Sequence, residues 1–249
     1  MVPAVALPPM IEPAWELFVA IAVVITIGVV GLARASAAML RTDEPLSAQA
    51  GPETLEAGPS LLANLVITHL GIVAVVGAVV WLTNVPAEAL GIHGVPDLAN
   101  ALLLGVGIYA VNEGLGVATK AFGGTAPERY REFLAPGGAI EWLGLLAVVL
   151  PVLAFSEELL FRGVLIGGVA AGTGLSPWLL AVASSVAFGG AHTAQGRLGI
   201  LVTGVLGFVL AAVFVVTGDL LLVVVAHYLV NALEFVVHEG MGIDLDRSR

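Results

Sequence analysis

Long uncharged runs fill most of this chain, and about 20 apolar residues are what a helix needs to cross a bilayer. Seven such runs can be placed, at about 15–33, 60–83, 98–119, 140–168, 177–192, 198–217 and 219–238. Between them there is little else. Of 249 residues, 59% are hydrophobic and 11% are charged, whereas a soluble domain carries about 25% charged residues. Mean hydropathy is +1.03. The runs do not alternate polar with apolar, so the spans are helices rather than barrel strands, the other way a backbone can satisfy itself in lipid. The expected fold is therefore all-α, a polytopic helical membrane bundle.

The segments between the runs set the topology. Arg41–Pro59 is a polar linker, Pro86–Pro96 and Thr125–Gly138 are loops, and Pro127–Leu134, with Glu128, Arg129, Arg131 and Glu132, reads as a short interfacial helix. Arg34 and Arg41 fall in the first loop, Lys120, Arg129 and Arg131 in the third, Arg197 in the fifth, and Arg247 and Arg249 in the tail. All eight lie on one side, which the positive-inside rule makes cytoplasmic. The amino terminus is then expected outside and the carboxyl terminus inside. Met1–Pro13 has no basic residue, so the first run reads as a retained span rather than a secretory signal. The expected organisation is an amino-terminal membrane region over 1–138, a catalytic core over 139–240 and a short polar tail over 241–249. No cysteine is present, which excludes disulfides and thiolate metal sites. A net charge of −10 argues against nucleic acid as a partner.

Six polar side chains interrupt the second half: Glu157, Glu158, Arg162, His192, His227 and Asn231. Ionisable groups at membrane depth are expensive and point to function. Glu158 and Arg162 are i,i+4 on a helix and can pair. Glu157 lies about 100° round the helix from Glu158, where Arg162 serves it less well. The two carboxylates then have different environments, which suits different roles: Glu158 held as a charge, Glu157 as a general base. His227 and Asn231 are also i,i+4, and together could stabilise an oxyanion. His192 closes a run whose small residues, Ser184, Ser185, Gly189 and Gly190, permit close helix approach. Structural alternatives stand beside these roles. Glu158–Arg162 could be a helix clamp and His192 an interfacial residue, while His227 and Asn231 could be interhelical glue. His69, Asn64 and Asn112 read as glue, and Glu113 and Glu234 as rim residues near the cytosolic end.

In order along the chain these elements are Glu157-Glu158-x-x-x-Arg162, Phe188-x-x-x-His192 and His227-x-x-x-Asn231. Over about residues 140–238 the pattern resembles the CPBP family of intramembrane proteases, which includes the type II CAAX prenyl endopeptidases and the Abi-like proteins. The resemblance implies an intramembrane endopeptidase. Glu157 would activate water, His192 would help hold it, His227 and Asn231 would stabilise the oxyanion, and Glu158 and Arg162 would position the catalytic helix. It also implies a helical bundle around a polar intramembrane cavity. The prenyl protease members have eight spans against the seven runs here, which implies either a further short helix within 119–138 or a different amino-terminal part. The substrate would be a membrane-associated peptide or protein, prenylated CAAX-type or otherwise.

Glu157, His192 and His227 could instead bind Zn²⁺ as a His₂Glu set with an open position. The absence of an HExxH helix, and the metal-free glutamate mechanism that the resemblance implies, favour no metal. Two other classes compete: a non-catalytic scaffold or immunity-like binding protein of the same fold, and a transporter with a proton relay. One geometric tension is visible. A straight helix entering near Ile140 carries Glu157 roughly 25 Å deep, while His192, ending a short run, lies nearer the cytosol. The two meet only if the fourth run enters late or tilts, or if the fifth is sunk into the bundle.

Overall fold

The computed structural model describes residues 12–39, 57–121, 131 and 134–243. Among them the chain is helical, with no strands: α1 (Trp15–Met39), α2 (Ala57–Thr83), a 3-10 turn (Ala87–Leu90), α3 (Leu98–Ala121), α4 (Ala139–Thr173), α5 (Pro177–Ala191), a second 3-10 turn (Thr193–Gln195), α6 (Gly196–Thr217) and α7 (Leu220–Gly240). These are the seven runs read from the sequence. Six of the helices are long and apolar enough to cross a membrane. The exception is α5, whose 15 residues reach about 22 Å against a hydrocarbon core of roughly 30 Å. The interfacial helix expected at 127–134, and most of the segment expected to hold an eighth helix, lie outside the described residues.

Large apolar side chains point outward from the long helices, among them Val24, Ile67, Leu103, Leu201 and Val216, as a lipid-facing surface requires. Inside, one apolar core joins Phe18 of α1, Val76 of α2 and Ile108 of α3 to Leu160 of α4, Phe188 of α5, Leu210 of α6 and Val223 of α7. The most enclosed of the spanning helices is α7, which carries His227 and Asn231.

Helix α4 is the unusual element. Its 35 residues would measure roughly 50 Å, well beyond one membrane thickness. It is not a uniform α-helix: π-helical stretches at Leu145–Val149 and Leu159–Gly168 bracket an α-helical segment, Leu150–Glu158. The first stretch has a local cause. Pro151 has no N–H and its ring crowds the preceding turn, so the helix passes it by a wider turn. The second stretch carries Arg162, and π-turns concentrate at functional sites.

The turn after α4 resolves the depth problem. Gly174, at φ +72°, ends the helix in the left-handed region and its N–H donates to the Ala170 carbonyl at 2.8 Å. Pro177 then opens α5 at its first position. The two helices form an antiparallel hairpin, and in such a hairpin residues equally far from the turn lie level. Glu157 is 18 residues before Leu175 and His192 is 17 after it. The Phe161 and Phe188 rings, 14 residues before Leu175 and 13 after it, meet edge to face at 5.1 Å in this register. Ser184 Oγ also ties the two helices, donating to the Phe161 carbonyl at 2.5 Å. Depth measured from Ile140 misleads because α4 overshoots one membrane thickness; the count from the turn does not.

Helix α5 packs closely on α6. A Cβ on Gly189 would stand 2.8 Å from the Ile200 carbonyl oxygen and 3.3 Å from Gly204 Cα, both backbone atoms that cannot step aside. On Gly190 it would meet only Val30 Cγ1 at 3.7 Å, an ordinary contact. Gly189→Ala is therefore expected to destabilise the detergent-solubilised protein by about 1–3 kcal/mol, and Gly190→Ala to leave it unchanged or slightly stabilised. Thermal unfolding of the two variants side by side checks this, and an equal effect would contradict the packing described.

Candidate active site

The site is assembled from α4, α5 and α7, with α6 behind it. Glu158 and Arg162 are both completely buried and joined by Arg162 Nη1 to Glu158 Oε1 at 3.0 Å. The same carboxylate oxygen lies 2.6 Å from His227 Nδ1, so one oxygen serves two partners. Arg162 Nη2 donates to the Gly207 carbonyl of α6 at 2.8 Å, and its guanidinium lies over the Phe188 ring, 4.6 Å from the centroid. Gly207 permits this: a Cβ there would come within 2.8 Å of the Phe188 ring. Among the described residues, Glu158 Oε2 and Arg162 Nε have no hydrogen-bond partner. Taking both charges out of water is offset by their pairing only in such a closely bonded arrangement.

Glu157 points elsewhere. Its Oε1 lies 3.9 Å from His192 Nε2 and its Oε2 lies 3.8 Å from His227 Nε2. Its side chain is 13% exposed and that of His192 is 23% exposed, against zero for Glu158. The expected split between the two carboxylates is thus present in the geometry: one is sealed beside a guanidinium, the other lies between two imidazoles at a wetter place. Both separations exceed a direct hydrogen bond and fit a bridging water.

The far nitrogen of each imidazole is tied down. His192 Nδ1 lies 2.7 Å from the Phe188 carbonyl oxygen. A carbonyl only accepts, so Nδ1 carries the hydrogen, and in the neutral ring Nε2 presents a lone pair towards Glu157. This explains the Phe-x-x-x-His spacing: Phe188 offers its carbonyl one turn back and its ring to His192, at 4.6 Å between centroids, and to Arg162. His227 Nδ1 faces the Glu158 carboxylate, which only accepts, so Nδ1 carries a hydrogen. Asn231 follows His227 by one turn on α7 and is half-buried. Its amide makes no hydrogen bond to another described residue, which leaves its donors available.

The structure therefore brings Glu157, Glu158, Arg162, His192 and His227 together and places Asn231 on the face of His227. His192 and His227 approach different oxygens of the Glu157 carboxylate, at 3.9 and 3.8 Å. Among the described residues, the three-residue group with ligand atoms all within 4.8 Å of one another is Glu113, Glu234 and His238. There, His238 Nε2 lies 2.9 Å from Glu113 Oε1, while Arg131 binds Glu234 at 2.9 Å and Glu239 at 2.8 Å. Asn112 donates to the other oxygen of Glu234. Glu234 thus has both oxygens engaged, in an ion-pair network that ties α3 and Arg131 to the end of α7. That agrees with interhelical glue for Asn112 and a rim place for Glu113 and Glu234. Asn64 is exposed on α2.

One participant was invisible in the sequence: the Gly207 carbonyl, which no side-chain pattern announces. His69 of α2, read there as interhelical glue, is hydrogen-bonded through Nδ1 to Ser156 Oγ, beside Glu157.

Arg162→Met should expose the cost of the buried pair. It strands the Glu158 charge and is expected to cost about 3–5 kcal/mol, much of which the double exchange Glu158→Gln/Arg162→Met should recover. Thermal unfolding in detergent measures both, and equal destabilisation by the single and double exchanges would contradict the pairing.

Comparison with protein families finds that residues 139–233 match the model described as type II CAAX prenyl endopeptidase Rce1-like. Comparisons with curated proteins and with solved structures gave no match. The matched segment covers α4, α5, α6 and most of α7, and includes all six residues of the constellation. With its apolar spans, the chain is a multi-pass integral membrane protein whose residues 139–233 match the Rce1-like family model of type II CAAX prenyl endopeptidases.

Proposed function

We propose that this protein hydrolyses a peptide bond of a membrane-associated protein or peptide, with Glu157 as the base that activates water and without a metal. The observation that carries the reading is the place of Glu157, between the Nε2 atoms of His192 and His227 at 3.9 and 3.8 Å, while its neighbour Glu158 is sealed against Arg162.

A water bridging Glu157 and His192 gives one hydrogen to the carboxylate and the other to the Nε2 lone pair, which turns an oxygen lone pair towards the substrate. As that oxygen bonds to the scissile carbonyl carbon, its proton passes to Glu157. The carbonyl π electrons move onto oxygen. His227, oriented by Glu158, and the Asn231 amide donate to that oxyanion. When the tetrahedral carbon collapses, the C–N bond breaks and Glu157 returns its proton to the leaving nitrogen. The products are a carboxylic acid and an amine, which become carboxylate and ammonium as the remaining acid proton is lost to the amine. Glu158 and Arg162 do not touch the reacting atoms; they hold His227 and the catalytic turn of α4.

The lack of an HExxH helix, which would place ligand and base together, favours the metal-free reading. A prenylated CAAX-type tail is the substrate that the family match makes the first to test. The catalytic end is taken to face the cytosol, with the amino terminus outside, from the distribution of basic residues.

Glu157→Gln, which keeps shape but cannot accept the proton, is expected to lower kcat at least about 10³-fold with little change in KM. The wild type should retain its rate after strong chelation. The assay is cleavage of lipid-attached and transmembrane peptides by purified protein, prenylated and unprenylated. Loss of rate on chelation, restored by zinc, would replace the mechanism. Full activity in Glu157→Gln would remove Glu157 from the chemistry. Peptide binding without turnover would favour a scaffold.

A further inference from the structure

Helix α2 lies outside the segment that matches the family, yet it places an imidazole beside the catalytic turn. His69 is half-buried and packs against the part of α4 that carries Glu157. Its Nδ1 is hydrogen-bonded to Ser156 Oγ, whose hydroxyl also reaches the Leu153 carbonyl at 3.1 Å. Ser156 is completely buried, so this bond has no competition from bulk water.

The form of α4 explains why such a contact matters. The α-helical segment Leu150–Glu158 is bounded on both sides by π-helical turns. A π-turn changes the number of residues per turn, so the rotation of this segment about the helix axis is not set by a continuous i→i−4 ladder. Contacts from outside the segment therefore help to set it. On one side the grip is Glu158, bonded to His227 of α7 and to Arg162. On the other it is Ser156, bonded to His69 of α2. Glu157 is the residue between the two anchors.

We infer that His69 is a positioning residue for Glu157, acting through Ser156 to fix the rotation of the catalytic turn, so that the working site includes α2 as well as the matched domain. The inference rests on the protease reading above. It differs from plain interhelical adhesion in what it requires: the aim of Glu157, not the stability of the bundle, depends on the bond.

The test is a double-mutant cycle on peptide cleavage, with wild type, His69→Ala, Ser156→Ala and the pair, and with thermal unfolding measured on each. Either single change should lower kcat about tenfold or more, leave KM within about threefold, and leave the unfolding temperature nearly unmoved. The pair should be no worse than the poorer single, because both remove one interaction. His69→Asn, whose amide can stand where Nδ1 stands, should recover most of kcat. An unchanged kcat in His69→Ala overturns the inference. So do losses that multiply in the pair, failure of His69→Asn to recover, and a fall in rate that merely follows a fall in stability. A wild type that cleaves no peptide sinks the protease reading and this inference together, whereas an active wild type with an unaffected His69→Ala sinks this inference alone.

Discussion

The buried pair of Glu158 and Arg162 is the contact on which the site depends. Two full charges lie out of reach of water, and their mutual attraction alone would not offset the cost of bringing them there. What completes the arrangement is the set of bonds around them: His227 on the shared carboxylate oxygen, the Gly207 carbonyl on the guanidinium, and the Phe188 ring beneath it. Each partner comes from a different helix. The pair therefore joins α4, α5, α6 and α7 at one point and orients His227. It also separates the two adjacent carboxylates, since a single guanidinium faces Glu158 and leaves Glu157 free to point at the imidazoles.

Small residues make that meeting possible. Gly207 lets Phe188 and Arg162 reach α6, and Gly189 lets α5 lie against the backbone of α6. In lipid, helices gain little from burying apolar surface against each other, so close backbone approach and polar contacts carry the association. The short α5 fits the same logic. It need not span, because it is packed within the bundle and ends where His192 meets Glu157.

Much of this was legible in the sequence where the relevant interaction is local. Glu158–Arg162 and Phe188–His192 are one helical turn apart, and the helix period alone brings them together. The seven apolar runs were readable because each is long and uncharged. The meeting of Glu157 and His192 was harder. Counting from the membrane edge at Ile140 separated them, since α4 is longer than a membrane is thick. Counting from the Gly174–Pro177 turn would have set them level. His69 was legible as an interhelical contact, but not its partner, because nothing along α2 says which of its faces meets α4. The Gly207 carbonyl had no sequence signal, being a backbone group whose role depends on the packing of two distant helices.

The most direct measurement of this account is the turnover of Arg162→Lys on a peptide that the wild type cleaves. Lysine keeps the positive charge but lacks the planar fork that reaches Glu158 and the Gly207 carbonyl together. If the geometry of the pair aims His227 and the catalytic turn, kcat should fall by at least about tenfold while the protein remains folded. Wild-type turnover in Arg162→Lys would show that charge alone suffices, and would contradict the claim that this bonded pair organises the site.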